Sequence, residues 1–246
     1  MSNLLSTSGK VQTRFYQFIS RYANELKKPT TKFLRNFCFG SISSKTLKTN
    51  PISKSLQEQV TTKKTAERMS YHLSKSTMFS EITQAHLHLS SSSLNDFKYL
   101  IFDDSDIAKP QAKCMEGLGR VRDGSRSSKV AHMTNGYKWS NIIAANDRQI
   151  LPLYSEIYST ELDKDYQQSE NTKMLKIVET VSKHTNKNKI IVIDRGGDRE
   201  VLMREFMEKE QHFLIRQTGK RHLWFNGKAQ PLKKVYQEIM LNSAIS

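Results

Sequence analysis

Cysteine is nearly absent. Cys38 and Cys114 are the only two in 246 residues. They lie far apart and in no Cys-x-x-Cys spacing, which argues against a disulfide framework and a thiolate zinc site. Long apolar runs are missing too: none approaches the roughly 20 residues of a membrane-spanning helix. The opening Met1-Ser2-Asn3-Leu4-Leu5-Ser6 has no charged segment followed by an apolar one. No secretory signal is therefore expected, and the default address is the cytoplasm. Acids are in deficit, 24 Asp plus Glu against 39 Lys plus Arg, for a net charge of +15 and a pI near 9.7. That excess points to a polyanionic partner and says nothing about fold. No long amphipathic basic helix stands out, which favours nucleic acid over a lipid surface. A hydrophobic fraction of 37% and a mean hydropathy of −0.62 fit a chain with a modest core. The length allows one large domain or a core with a smaller appendage.

What is present centres on Lys98-Tyr99-Leu100-Ile101-Phe102-Asp103-Asp104-Ser105-Asp106-Ile107. An apolar, aromatic-rich run ends in three acids within four positions, the pattern of a buried strand with carboxylates at its C-terminal tip. Side chains alternate along a strand, so Tyr99, Ile101 and Asp103 share one face and Leu100, Phe102 and Asp104 the other. Lys189-Ile190-Ile191-Val192-Ile193-Asp194 repeats the design and runs into Arg195-Gly196-Gly197. An acid at a strand end also serves as a turn former or helix N-cap. Two such tips side by side, however, bring like charges together and call for a divalent cation.

Around these stretches the spacing predicts an amphipathic helix over 11–27, closed by Lys27-Lys28-Pro29, and a second from Thr31 to Phe39 ending at Gly40. A polar stretch over 41–62 holds one short helix near Pro51. A basic helix over about 64–75 follows, and the pair resembles a helix-turn-helix. Its exposed cations Lys64, Arg68 and Lys75 are candidate DNA contacts. His86 and His88 flank Leu87 without further ligands at metal spacing and read as surface residues. The serine run Ser90–Ser93 marks a boundary between a helical domain, 1–92, and a core, 93–246. Within the core the order is a strand at 99–103, a loop-rich 111–129 and a hairpin of 136–145 with 150–158 carrying Pro152 at an edge or bulge. A helix from Ser169 to about His184 comes next, then strand 189–193, a helix over about 198–209, strand 212–216 and a short helix near 234–240. A hairpin meander followed by alternating helix and strand predicts a mixed sheet flanked by helices. The same order matches the ribonuclease-H-like fold, in which the first and fourth strands are neighbours. That adjacency would bring Asp103 and Asp194 together.

These residues resemble a bacterial insertion-sequence transposase of the DDE class, the group with a YREK signature. Asp103-Asp104-Ser105-Asp106-Ile107 is similar to the family's first-strand motif, and Asp194-Arg195-Gly196-Gly197-Asp198 to its second, with Gly197 in the usual aromatic position. Gly136-Tyr137, Pro152-Leu153-Tyr154-Ser155-Glu156 and Ser169-Glu170-Asn171 are further landmarks, and the likeness spans about residues 11–240. It implies Asp103 and Asp194 as the first two catalytic, metal-binding acids, with Asp104 competing for the first role. It further implies two-metal phosphoryl transfer on Mg²⁺ or Mn²⁺, double-stranded DNA at transposon ends as partner, and allows a homodimer. Arg195, Arg216, Lys220 and Arg221 become candidate phosphate contacts near the strand tips. The family's third acid, a Glu inside Tyr-x2-Arg-x3-Glu-x6-Lys after a β-rich insertion, has no counterpart in the 52 residues after Asp194. Tyr236-Gln237-Glu238 does not reproduce it; Glu200, Glu205, Glu208, Glu210 and Glu238 are the remaining candidates. The expectation is therefore a transposase truncated at its C-terminus. The alternatives are a non-catalytic DNA-binding remnant or inhibitor and a stand-alone ribonuclease-H-like nuclease using Glu238 or a neighbouring acid.

Overall fold

The computed structural model describes residues 2–123, 132–186, 188–219 and 221–243. The chain divides into two compact units, Met1–Ser92 and Ser93–Ser246.

The first unit is helical in its described residues. It runs through α1 (Ser2–Ser20), a 3-10 turn Arg21–Asn24, α2 (Lys28–Ser44), α3 (Thr49–Ser55), α4 (Thr62–Leu73) and α5 (Ser76–Ser90). Lys27 ends nothing by itself: Pro29 sits in the first turn of α2, where its missing N–H is not needed. Gly40 lies inside α2 rather than at its end. A Cβ there would meet Ile52 Cγ2 at 2.5 Å, so the glycine lets α3 press against α2. Phe33, Ile52, Met69 and Met78 form the core where α2 to α5 meet. Helix α5 was not expected from the spacing. Its His86 Nδ1 lies 2.8 Å from Tyr22 Oη and His88 Nδ1 2.9 Å from Glu25 Oε2, so both rings reach back to the 3-10 turn.

The second unit holds β1 (Tyr99–Ala108), β2 (Gly119–Arg122), β3 (Met133–Ala145), β4 (Ile150–Tyr158), α6 (Lys164–Gln168), α7 (Glu170–Ser182), β5 (Ile190–Ile193), α8 (Glu200–Glu208), β6 (Phe213–Ile215), β7 (His222–Phe225), β8 (Lys228–Pro231) and α9 (Leu232–Ser243). Strand β2 lies inside the stretch expected to be loop, whose residues 124–129 fall outside the described ones. The hairpin β7–β8 is a further addition to the expected order. The main sheet is mixed. Its strands follow β2-β3-β1-β5-β6, with β4 also paired to β3. β1 runs antiparallel to β3 and parallel to β5, with Leu100 opposite Ile191 and Phe102 opposite Ile193. The register therefore sets the C-terminal end of β5 beside Phe102, in the middle of β1. β1 does not end at Asp103 as expected: it continues to Ala108 because β3 pairs with it along its whole length, so Asp103, Asp104 and Asp106 lie within the strand. β3 and β4 slip by one residue between Ile142 and Ile143, next to Pro152, which cannot donate to the ladder.

One sheet face is the core. Leu100, Phe102, Ile142, Ala144, Ile191 and Ile193 are buried on it. The apolar stripes of α7 (Met174, Ile177, Val178, Val181) and α8 (Leu202, Phe206) are buried as well. Each such side chain contributes about 1.5–3 kcal/mol on leaving water. Gly136 is fixed by close approach: a Cβ there would come within 2.2 Å of Ile107 O and 2.4 Å of Val121 Cγ2. No helix among the described residues is long and apolar enough to cross a membrane.

Candidate active site

Where β1 runs on past the end of β5 there is a polar cleft of about 370 Å³ whose walls include Asp104, Asp106, Lys138, Glu170, Asp194 and Arg199, over a floor of Phe102, Met174 and Ile193. Alternation decides which acids reach it. Asp104 continues the face of Leu100 and Phe102. In the antiparallel register Asp104 stands opposite Ser140, and Asp106 opposite Lys138, so these four share that face. Asp103 belongs to the other face, where it is exposed and accepts a hydrogen bond from Ser105 Oγ at 2.8 Å. Asp103 does not line the cleft; of the two candidates for the first acid, Asp104 does.

Asp104 is held at both oxygens. Oδ1 accepts from Ser140 Oγ at 2.6 Å and from Tyr158 Oη at 3.2 Å. Oδ2 lies 3.2 Å from Lys138 Nζ. The same ammonium is 3.0 Å from Asp106 Oδ1 and 3.4 Å from Glu170 Oε1. The Asp106 oxygen is buried, with the ammonium as its ion-pair partner. Burial by itself would depress the Lys138 pKa. The Asp104, Asp106 and Glu170 carboxylates overturn that and hold it far above the ordinary lysine range. Tyr158 is shifted upward as well, chiefly by burial and then by the Asp104 charge.

Glu170 arrives on the first residue of α7, which Ser169 caps by accepting from Thr172 N at 2.9 Å. Arg199 ties it down from the other side: Nη2 is 2.8 Å from Glu170 Oε2, Nη1 donates to Asn171 Oδ1 and Nε donates to Gly196 O. Asp194 is exposed, and its Oδ1 accepts from Gly196 N at 2.8 Å, capping the 3-10 turn Arg195–Gly197. It thus acts as a turn former while lining the cleft. Three residues after Asp194, Gly197 has no room for a side chain, since a Cβ would meet Ile193 Cγ2 at 2.6 Å. Asp198 clamps the segment after β6. Its Oδ2 accepts from Thr218 N at 2.7 Å and Thr218 Oγ1 at 2.6 Å, and its Oδ1 pairs with Arg221 Nε. Burial opposes that charge, but the Thr218 and Arg221 hydrogen bonds pull the Asp198 pKa down to about 2.

The predicted cations scatter. Arg221 is bound to Asp198. Arg195 and Arg216 are exposed and absent from the cleft wall, and Lys220 lies outside the described residues. In the helical unit Lys64 is exposed, whereas Lys75 sits over the Tyr71 ring at 4.2 Å. Arg68 is not a free cation: it pairs with Glu58, which also takes Asn36 Nδ2 at 2.8 Å and Thr65 Oγ1 at 2.9 Å. Burial would raise the Glu58 pKa, and the Arg68 and Thr65 hydrogen bonds bring it down. The cations that do reach the cleft are Lys138, Arg199 and, on β2, Arg120 and Arg122. None of these four stands out in the sequence: Lys138 comes to the cleft through the β1–β3 register, Arg120 and Arg122 through the pairing of β2 with β3, and Arg199 from the start of α8.

None of the acids considered for the third position reaches the cleft wall, Glu238 included. Glu200 pairs with Arg204 along α8 and Glu205 with Lys209. Among the described residues no group of three or more His, Cys, Asp or Glu is arranged to hold a metal ion. The donor chemistry of Asp104 and Asp194, hard oxygens in one cleft, suits Mg²⁺ or Mn²⁺; the other two carboxylates lining it, Asp106 and Glu170, are engaged by Lys138 and Arg199.

No protein-family model matches the chain, and no curated protein is similar to it in sequence. Among solved structures, a Mos1 transposase paired-end complex with left transposon end is similar at a TM-score of 0.28 and 8% identity, over 78% of this chain. The chain spans 60% of the length of that structure's chain. A likeness that low decides neither fold nor function.

Proposed function

We propose that the chain is a DNA transposase of the DDE class with a ribonuclease-H-like core in the second unit, and that the helical unit docks on double-stranded DNA. One observation carries the reading: β1 and β5 are parallel neighbours in register, Phe102 opposite Ile193, and Asp104 and Asp194 line one cleft beyond them. The sequence resemblance supplies the reaction class. In this reading Asp104, rather than Asp103, is the first acid and Asp194 the second. Mg²⁺ or Mn²⁺, when bound, supplies activation of water or a DNA 3′-hydroxyl and neutralises the leaving oxygen. The chain's own contribution is to fix Asp104 through Ser140 and Tyr158 and Asp194 through Gly196. Arg120 and Arg122 are among the residues that line the cleft, from register positions on the sheet face away from Asp104; Arg120 donates to Asn135 and Met133, and Arg122 is the candidate phosphate contact at the rim. In this reading no third acid is assigned, since none of Glu200, Glu205, Glu208, Glu210 and Glu238 lines the cleft; the test therefore supplies one in trans.

The test is Mg²⁺-dependent nicking of DNA carrying the element's ends, with a Glu-bearing C-terminal part supplied. Asp104→Asn and Asp194→Asn are expected to abolish nicking, about 10³-fold or more as for loss of a charge-stabilising group, while Asp103→Asn retains it. Full activity in both Asp104→Asn and Asp194→Asn would refute the assignment. Loss confined to Asp103→Asn and Asp194→Asn would move the first acid to the other face.

A further inference from the structure

The cleft already contains a cation. Lys138 Nζ lies within 3.2 Å of Asp104 Oδ2, 3.0 Å of Asp106 Oδ1 and 3.4 Å of Glu170 Oε1. Its side chain is 13% exposed, and Asp104 and Asp106 are 10% and 20% exposed. Three carboxylates this close repel one another by several kcal/mol unless something neutralises them. Arg199 takes the other oxygen of Glu170 and leaves Asp104 and Asp106 to Lys138. The position is also geometrically fixed. Lys138 stands opposite Asp106 in the β1–β3 ladder and opposite Tyr158 in the β3–β4 ladder. The two remaining contacts of Asp104, from Ser140 and Tyr158, both fall on Oδ1. A divalent ion binding Oδ2 therefore meets the ammonium first.

We propose that Lys138 is the resident counter-ion of this cleft, occupying the place a divalent cation takes, so that metal binding at Asp104 requires the ammonium to swing aside. The inference rests on the reading of Asp104 as a metal ligand. A self-neutralised cleft keeps the sheet tip stable without metal. It also makes loading depend on whatever displaces Lys138, and a DNA phosphate is a chemically suited acceptor for that ammonium.

The experiment is a Mn²⁺ titration of the full 246-residue chain, read by the electron paramagnetic resonance signal of free Mn²⁺ and by the melting temperature. Lys138→Met is expected to bind Mn²⁺ about tenfold or more tightly than the parent, because removing one adjacent positive charge is worth at least that factor in a shielded site. Lys138→Arg keeps the charge and is expected to stay as weak as the parent. Asp104→Asn placed on Lys138→Met is expected to lose the gain. Should Lys138→Met unfold on its own, Mn²⁺ is expected to restore its cooperative melt. Equal Mn²⁺ affinity in parent and Lys138→Met, a gain that survives Asp104→Asn, or an unfolded Lys138→Met that Mn²⁺ fails to rescue would each overturn the proposal. Failure of DNA nicking would sink the transposase reading and leave this titration unchanged, so the two are separable.

Discussion

Asp198 is the clearest single-residue test of how the second acid motif is built. Its side chain is 2% exposed and is satisfied by Thr218 and Arg221, with the pKa drawn down to about 2 from an ordinary carboxylate value near 3.9. A depressed folded-state pKa contributes stability that is fully present above the unfolded value and is lost as pH falls through the folded one. Asp198→Asn is thus expected to lower stability by about 1–3 kcal/mol at pH 7. The gap between parent and variant should close between about pH 4 and pH 2. Urea unfolding of both chains across that range is the check; a gap constant with pH would mean that the charge plays no part. Gly197 tests packing at the same turn. With Ile193 Cγ2 2.6 Å from where a Cβ would sit, Gly197→Ala is expected to cost about 1–3 kcal/mol as overpacking, measurable in the same unfolding curves.

At the scale of elements, the strands were readable and their company was not. Tyr99–Phe102 and Ile190–Ile193 announce themselves as β-branched and aromatic runs ending in acids. The helix over 170–182 does so by its apolar spacing and its Ser169 cap. Helix α5 gave weaker periodicity, since Phe79 points outward at 48% exposure while Ala85 and Leu87 are buried. Strand β2 is four residues held by pairing to β3, and nothing local in Gly119-Arg120-Val121-Arg122 sets it apart from loop. The site divides the same way. Asp104 and Asp194 stand out in the sequence as acids after apolar runs, but only the register shows that Asp104 lies within β1 and on the face that lines the cleft while Asp103 does not. Lys138 and Glu170 became visible only when β3 was registered against β1 and α7 placed at its end. Lys189 makes the point from the other side. It is a lysine at the start of a strand, yet it is 4% exposed and donates to the carbonyls of Leu94 and Phe97, pinning the turn before β1 against β5. In the helical unit the Glu58 node joins α2 to α4 through Asn36, Thr65 and Arg68. Glu58→Ala strands those donors and is expected to cost about 1–3 kcal/mol, whereas Lys63→Ala, with Lys63 86% exposed, is expected to change stability by under about 0.5 kcal/mol.

For the whole molecule, the net charge of +15 carries a prediction independent of the cleft. Binding of the full chain to duplex DNA should weaken steeply with salt and need no Mg²⁺. Lys64→Ala and Lys75→Ala, if these cations meet phosphates, should each flatten the slope of log K against log salt by about one unit. Arg68→Ala should instead act through stability, because its guanidinium is engaged by Glu58. Fluorescence anisotropy at several salt concentrations separates the two effects; an unchanged slope for Lys64→Ala and Lys75→Ala would remove the helical unit from the DNA path.

The most direct measurement is iron-mediated self-cleavage. Fe²⁺ substitutes for Mg²⁺ at carboxylate sites, and with ascorbate and peroxide it cuts the backbone where it is held. If residues 90 positions apart in the chain grip one cation, the cuts fall at two places, near Asp104 and near Asp194, and Asp194→Asn removes both. Cuts at a single place, or two sets that Asp194→Asn leaves untouched, would contradict an ion shared between the middle of β1 and the end of β5.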